Sequence, residues 1–205
     1  MGDRTEMSEM IEIRWHGRGG QGVVTASKLL AEAALEDGKY FQGLPDYGAE
    51  RMGAPVRAFT RISSEPIIPY CQVTEPDVVV VLDSTLIGVI DLTEGLKEDG
   101  ILLANSTASP DEVGSQAGFK GRVYTVDATG IAKELLGRNL PNTPMLGALA
   151  RVTGVVSKQS LERKIRSKLG ATMKEETVEA NIKAFEKAYS SVKGLTTEPR
   201  RLSGK

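Results

Sequence analysis

Residues 16–22 read His16-Gly17-Arg18-Gly19-Gly20-Gln21-Gly22, with four glycines in seven positions. A loop with so few side chains lets an anionic ligand, or another backbone, approach its amides. Gly17 to Gly22 satisfies G-x-G-x-x-G. A helix opening behind such a loop presents unpaired amides and partial positive charge, which suits a phosphate. Arg18 adds a charge-assisted donor. A dinucleotide site also needs an acid at the end of the second strand, about 20 residues on. Asp46, behind Pro45, is the one nearby candidate, so a nicotinamide or flavin site has little support. The same glycines would equally serve close packing of helix on strand, or the approach of a partner subunit.

Two further stretches stand out. Asp46-Tyr47-Gly48-Ala49-Glu50-Arg51-Met52-Gly53-Ala54-Pro55 combines acids, an arginine, an aromatic and two glycines. It lies in a long loop from Leu44 to Pro55. A solvated loop is the default reading, but long loops in compact domains are often functional. Asn142-Thr143-Pro144-Met145-Leu146-Gly147-Ala148-Leu149-Ala150 reads as a helix start. Asn142 or Thr143 would be its N-cap, Pro144 suits the first turn, and Gly147 and Ala148 permit close packing.

Much chemistry is excluded. The single cysteine, Cys71, cannot alone build a disulfide, an iron–sulfur site or a zinc site; it reads as a small, partly buried residue, with a reactive thiol as the lesser reading because nothing basic sits beside it in sequence. The single histidine, His16, rules out a His-rich metal site, and no G-x-S-x-G elbow accompanies it. There is no Walker A lysine motif, no H-E-x-x-H, no C-x-x-C and no thiamine-magnesium motif. With 26 basic and 27 acidic residues the chain has no footprint for nucleic acid, and 5% aromatics do not supply a base-stacking platform. No apolar run approaches the ~18–20 residues that span a bilayer. The N-terminus lacks an apolar signal region, so the expected compartment is the cytoplasm.

The elements that must hold these residues follow from periodicity. Ile11 to Trp15 alternates as a short strand, and Val23 to Glu36 has one broad apolar helical face closed by Asp37-Gly38. Tyr40–Gly43 and Val56–Ile62 read as strands. Ser63-Ser64-Glu65 reads as a turn, with a return strand over Ile67–Tyr70. Asp77 to Asp83 is continuously apolar between its acids, as in the centre of a parallel sheet. A helix is expected over Thr85–Gly95, strands at Gly100–Asn105 and Val123–Asp127, and a short helix within Ser106–Gly118. From Ala128 the pattern is helical, in segments ending near Gly137, Val156, Leu169 and Val192. The fold class is α/β: a three-layer, Rossmann-like, mostly parallel sheet with a helical C-terminal part. The expected organisation is a flexible arm over 1–9, one domain over 10–193, and a tail or linker over 194–205.

Taken together, Trp15–Gly22, Tyr47–Pro55, Glu75–Val80 and Pro141–Ala148 resemble the gamma subunit of 2-oxoacid:ferredoxin oxidoreductases, of which pyruvate synthase is the best-known type. The likeness covers about residues 10–193. It implies a subunit, inactive alone, of an enzyme that decarboxylates a 2-oxoacid on thiamine diphosphate. Electrons would pass through iron–sulfur clusters to ferredoxin, and the acyl group would usually go to coenzyme A. Thiamine diphosphate, magnesium and the clusters would sit on alpha-, beta- and delta-type partners. The gamma part would pack beside the thiamine site and meet coenzyme A at the interface. The resemblance points to Gly17, Arg18, Gly19, Gly20, Gln21 and Gly22, with Tyr47, Glu50 and Arg51, as the residues facing that site. Met52 and the run Gly43-Leu44-Pro45-Asp46 depart from the usual family pattern. Branched 2-oxoacids, and oxalate, which would need no coenzyme A, therefore stay open beside pyruvate. Two other readings fit the residues: a free-standing dinucleotide-binding module, and a purely structural assembly subunit.

Overall fold

Four valines in a row, Val78–Val81, form a strand (β4) whose side chains are all fully buried. A strand apolar on both faces needs cover on both faces, and the rest of the fold supplies it. The computed structural model describes residues 10–46, 53–68 and 71–194. Among these, β1 (Ile11–Arg18), β2 (Tyr40–Asp46), β3 (Pro55–Ser63), β4, β5 (Ile101–Asn105) and β6 (Arg122–Val126) form one six-stranded sheet in the order β2-β3-β1-β4-β5-β6. β1, β4, β5 and β6 pair in parallel, and β3 runs antiparallel to both β1 and β2.

The helices are α1 (Val23–Glu36), α2 (Pro110–Ala117), α3 (Ala128–Leu136), α4 (Asn142–Thr153), α5 (Lys158–Gly170) and α6 (Glu175–Ser191). Ile13, Trp15, Val78 and Val80 pack into the main core with residues of α1, α4, α5 and α6. Val79, Val81, Leu102 and Ala104 face the other way, onto Val113 of α2 and onto Leu86 and Leu92 of an irregular segment. The mixed, mostly parallel α/β sheet is thus as expected, with a thick helical layer on one face and a thin cover on the other. Asn142 through Ala150 are all buried, so α4 is an inner helix.

Several local expectations are corrected. Thr85–Gly95 is not a helix; only a single 3-10 turn forms, at Ser84–Leu86. Gly88 takes a left-handed φ of +75°, which breaks a right-handed helix, and Asp91 Oδ1 accepts from Thr93 N at 3.1 Å, a local turn in place of a helical ladder. The carbonyls of Leu92 and Glu94 accept from the buried guanidinium of Arg14, at 3.0 and 2.6 Å. No strand forms at Ile67–Ile68, because both edges of β3 are already paired, to β1 and β2; Tyr70 lies outside the described residues. The N-cap of α4 is Pro141, with no side-chain cap, and Asn142 and Thr143 sit inside the helix. Cys71 is exposed, not partly buried. The expected arm at 1–9 lies outside the described residues.

Candidate functional site

β1 is longer than its alternation suggests. Gly17 pairs with Val56 and Arg18 with Pro55, so the strand carries His16, Gly17 and Arg18, and the loop proper is Gly19–Gly22. The glycines divide by role. A Cβ on Gly17 would stand 2.6 Å from Val23 Cγ2 and 3.2 Å from Leu82 Cβ, and one on Gly22 would stand 2.8 Å from Asn142 Nδ2. Those two positions are set by packing of α1 and α4. Gly20, at φ +94°, would meet nothing within 4 Å, which leaves its backbone open to another molecule.

The loop is tied down at three places. Gln21 turns back on itself: its Oε1 accepts from Arg18 N at 2.8 Å while its Nε2 donates to Asp83 Oδ2 at 2.6 Å. The Arg18 guanidinium lies 3.4 Å from the same Asp83 oxygen, donates to Thr85 Oγ1, and donates through Nη1 to the Gly53 carbonyl at 3.1 Å. Gly19 N donates to the Ala54 carbonyl and Gly53 N to the Gly19 carbonyl, at 3.0 and 3.4 Å. The glycine loop and the end of the second loop are therefore one bonded unit. Burial opposes charge on Asp83, but donors from Thr85 and Gln21 and the Arg18 charge outweigh it, and its pKa lies below the ordinary carboxylate value. Asp83 is an ionised, fully engaged anchor.

This unit stands at the carboxyl ends of β1 and β4. The chain leaves β1 toward β2 and β3 on one side and returns to β4 on the other. That reversal is the position at which open α/β sheets bind ligands. α1 begins there with Gly22 as N-cap, no side-chain cap and no acid in its first turn. The start of α4 is alike in lacking both, and Asn142 packs directly on Gly22. Two uncompensated positive helix ends thus meet beside the loop. Asn105, at the end of β5, braces the edge by donating to the Leu82 carbonyl and to Thr129 Oγ1, both at 2.8 Å.

The face of β1 turned away from the main core, which Arg18 shares, is polar and largely buried. His16 pairs in register with Arg57 and Arg14 with Phe59. Burial, then the charges of Arg14 and Arg57, lower the pKa of His16 from 6.5 to about 3, so it is neutral at ordinary pH. Neither of its ring nitrogens has a hydrogen-bond partner among the described residues. Arg61, also buried, donates to Glu12 Oε1 and Gln42 Oε1, each at 2.7 Å, and its Nη2 lies 3.8 Å from Cys71 Sγ.

Of the residues singled out in the sequence, Gly17 to Gly22 converge at this edge. Tyr47, Glu50 and Arg51 lie outside the described residues. Asp83, Thr85 and Asn142 were not singled out as members of the site. The readable signal for Asp83 was its place directly after the most apolar strand, next to the reversal point. A dinucleotide module is disfavoured by the topology: antiparallel β3 separates β1 from β2, so no acid at the end of β2 sits on a strand neighbouring the loop. The described residues contain no cluster of three or more His, Cys, Asp or Glu able to hold a metal ion. One cysteine does not fit an iron–sulfur cluster either. No helix among the described residues is long and apolar enough to cross a membrane.

The fold and site together define an open α/β sheet protein with a glycine-rich strand-to-helix loop at its reversal point. The chain belongs to the pyruvate ferredoxin/flavodoxin oxidoreductase family, whose pattern matches residues 12–191. It is 52% identical over 182 residues to pyruvate synthase subunit PorC of Thermotoga maritima, covering 89% of this chain and 94% of that protein. It is 49% identical over 179 residues to the common gamma subunit of pyruvate/ketoisovalerate oxidoreductases of Thermococcus kodakarensis, covering 87% and 97%. The crystal structure of pyruvate oxidoreductase subunit PORC from Thermotoga maritima superposes with a TM-score of 0.81 at 49% identity, over 90% of this chain and 98% of that one. The chain is accordingly a gamma subunit of a multi-subunit 2-oxoacid:ferredoxin oxidoreductase, of the EC 1.2.7 type.

Proposed function

We propose that this subunit forms one wall of a thiamine diphosphate site held by its alpha- and beta-type partners and receives coenzyme A at that wall. The observation that carries this reading is the bonded unit of Gly19–Gly22 with Gly53–Ala54 at the reversal point. Its Gly20 backbone is open and the α1 N-terminus behind it is uncapped. Backbone donors at a helix end suit the phosphates of coenzyme A. Gly17, Arg18 and Gln21 shape the wall, and Tyr47, Glu50 and Arg51, which lie outside the described residues, are proposed as further ligand contacts. Magnesium and the iron–sulfur clusters belong to the partners, a delta-type chain among them, with ferredoxin as acceptor in the cytoplasm. The names of the relatives favour pyruvate, with branched 2-oxoacids next and oxalate last.

The test is an assay of the assembled complex across pyruvate, ketoisovalerate and oxalate, with and without coenzyme A. The expected outcome is ferredoxin reduction with pyruvate that depends on coenzyme A. Activity that persists in a complex lacking this subunit would overturn the reading. A purely structural role is favoured by one observation, the packing demand at Gly17 and Gly22. Under that role, coenzyme A would leave the hydrogen exchange of residues 17–22 unchanged.

A further inference from the structure

A loop containing Gly19, Gly20 and Gly22 loses more conformational entropy on ordering than any other composition would. Something must freeze it, and the cap of α1 does not, since Gly22 has no side chain. The two long side chains at the loop, Arg18 and Gln21, converge on one oxygen, Asp83 Oδ2, at 3.4 and 2.6 Å. The other oxygen, Oδ1, accepts from Thr85 N and Thr85 Oγ1 at 2.9 and 2.7 Å. Thr85 Oγ1 in turn accepts from Arg18 Nη2 at 2.9 Å. The guanidinium carries the restraint on to the Gly53 carbonyl. Asp83 itself is held at the end of β4, where Leu82 N donates to the His16 carbonyl at 2.7 Å. One carboxylate, two residues past the central strand β4 and at the cap of the Ser84–Leu86 turn, thus ties both loops.

We propose that Asp83 is a positioning residue for the oxidoreductase reaction, holding the glycine loop and the Gly53–Ala54 backbone as one rigid wall through Gln21, Arg18 and Thr85. The inference rests on the reading of that wall as the coenzyme A face. Asp83 does not touch the ligand; it sets where the Gly19–Gly22 amides stand. Misplacement of binding groups by about 1 Å costs up to about 100-fold. Replacing the carboxylate by an amide keeps its shape, removes the charge facing Arg18 and puts a donor toward one of its donors.

The experiment compares wild-type and Asp83→Asn subunits in the assembled oxidoreductase. It measures assembly by gel filtration, kcat and KM for coenzyme A, and hydrogen exchange of residues 18–22 and 53–55. The expected result is an assembled D83N enzyme whose KM for coenzyme A rises roughly tenfold, with a smaller change in kcat. The two backbone segments should exchange faster together. An assembled D83N enzyme with wild-type KM or wild-type exchange would overturn the proposal, as would lost assembly with normal KM in the residual complex. If D83N does not assemble at all, Thr85→Val, which removes one arm of the network, decides. A raised KM supports the proposal and an unchanged KM overturns it. Wild-type enzyme in which coenzyme A gives residues 17–22 no protection defeats the parent reading instead, because coupled exchange in D83N is judged without coenzyme A.

Discussion

Gly147 of α4 lies directly on the backbone of Phe185 of α6: a Cβ at Gly147 would stand 2.1 Å from the Phe185 carbonyl oxygen and 2.9 Å from its carbon. The obstacle is main chain, so no rotamer change relieves it. Gly147→Ala must push the two helices apart, and overpacking of this kind costs about 1–3 kcal/mol. Gly147→Val should cost more. Urea unfolding should give a lower midpoint for both, with Val below Ala, and an unchanged midpoint would show that the α4–α6 crossing is looser than described.

How much of this was legible in the sequence varies with the source of the constraint. Val78–Val81 announced itself as a central parallel strand because burial on both faces leaves a continuous apolar run. α1 was legible to its last residue because Leu29, Leu30, Ala33 and Ala34 share one face and Asp37-Gly38 ends it. The Thr85–Gly95 helix failed because Gly88 turns left-handed and Asp91 holds a turn at Thr93, local alternatives that apolar spacing alone does not register. The length of β1 was missed for a related reason: pairing with Val56 and Pro55 keeps Gly17 and Arg18 extended despite their poor strand propensity. At the site the glycines were visible, but the hub, Asp83, was not, since an acid after a strand looks like any turn residue. The burial of Arg14 was equally hidden, because alternation gives the strand one buried face only, and His16 read as the start of the loop.

The lone histidine makes one pH effect separable. His16 has a pKa of about 3 when folded against 6.5 when free. Between those values the unfolded chain binds the proton and the folded chain does not, so stability is full above pH 6.5 and falls as pH drops toward 3. The slope is at most about 1.4 kcal/mol per pH unit for one proton. Denaturant titrations between pH 7 and 5 should show this loss, and His16→Leu should abolish it. An imidazole that titrates normally near pH 6.5 by NMR would contradict the buried, unpartnered ring.

Carboxylates take over at lower pH. Burial opposes the charge on Asp83 and on Asp37, but both are held below the ordinary value of 3.8. Thr85, Gln21 and Arg18 do so for the first, and Ser157, Ser160 and Lys39 for the second. Their stabilisation is present above 3.8 and is lost as pH falls below it through the folded values. In the His16→Leu background, stability should hold from pH 7 to about 5 and then fall steeply. Adding Asp37→Asn should remove part of that steep limb by eliminating one titrating group, which acid unfolding followed by circular dichroism would read.

Arg61 is 2% exposed and its Nε donates to Glu12 Oε1 at 2.7 Å, across the β1–β3 pair. Removing one partner of a buried ion pair leaves an undercompensated charge and typically costs ~3–5 kcal/mol. Glu12 keeps partial contact with solvent and Arg61 keeps Gln42, so Glu12→Ala should fall at the lower end, near ~3 kcal/mol. Glu12→Gln, which keeps an acceptor, should cost less. Equal losses for the two variants would show that the Glu12 charge contributes nothing beyond its hydrogen bond.

Gly22 carries two separate constraints that a mutant cycle can pull apart. Its φ of +80° is unfavourable for any residue with a Cβ, and its open side faces Asn142 Cβ, Cγ and Nδ2 at 2.8–3.0 Å. Gly22→Ala therefore pays backbone strain of order ~1 kcal/mol plus a clash. Asn142→Ala removes the amide but not Cβ, and it also removes an Oδ1 that has no partner among the described residues, so its own cost should be small. The double variant should then be less destabilised than the sum of the singles, with a coupling of about 0.5–3 kcal/mol as for contacting residues. The strain at φ +80° should survive in it. Additive losses in urea unfolding would mean that Asn142 yields freely and that backbone conformation alone demands glycine at 22.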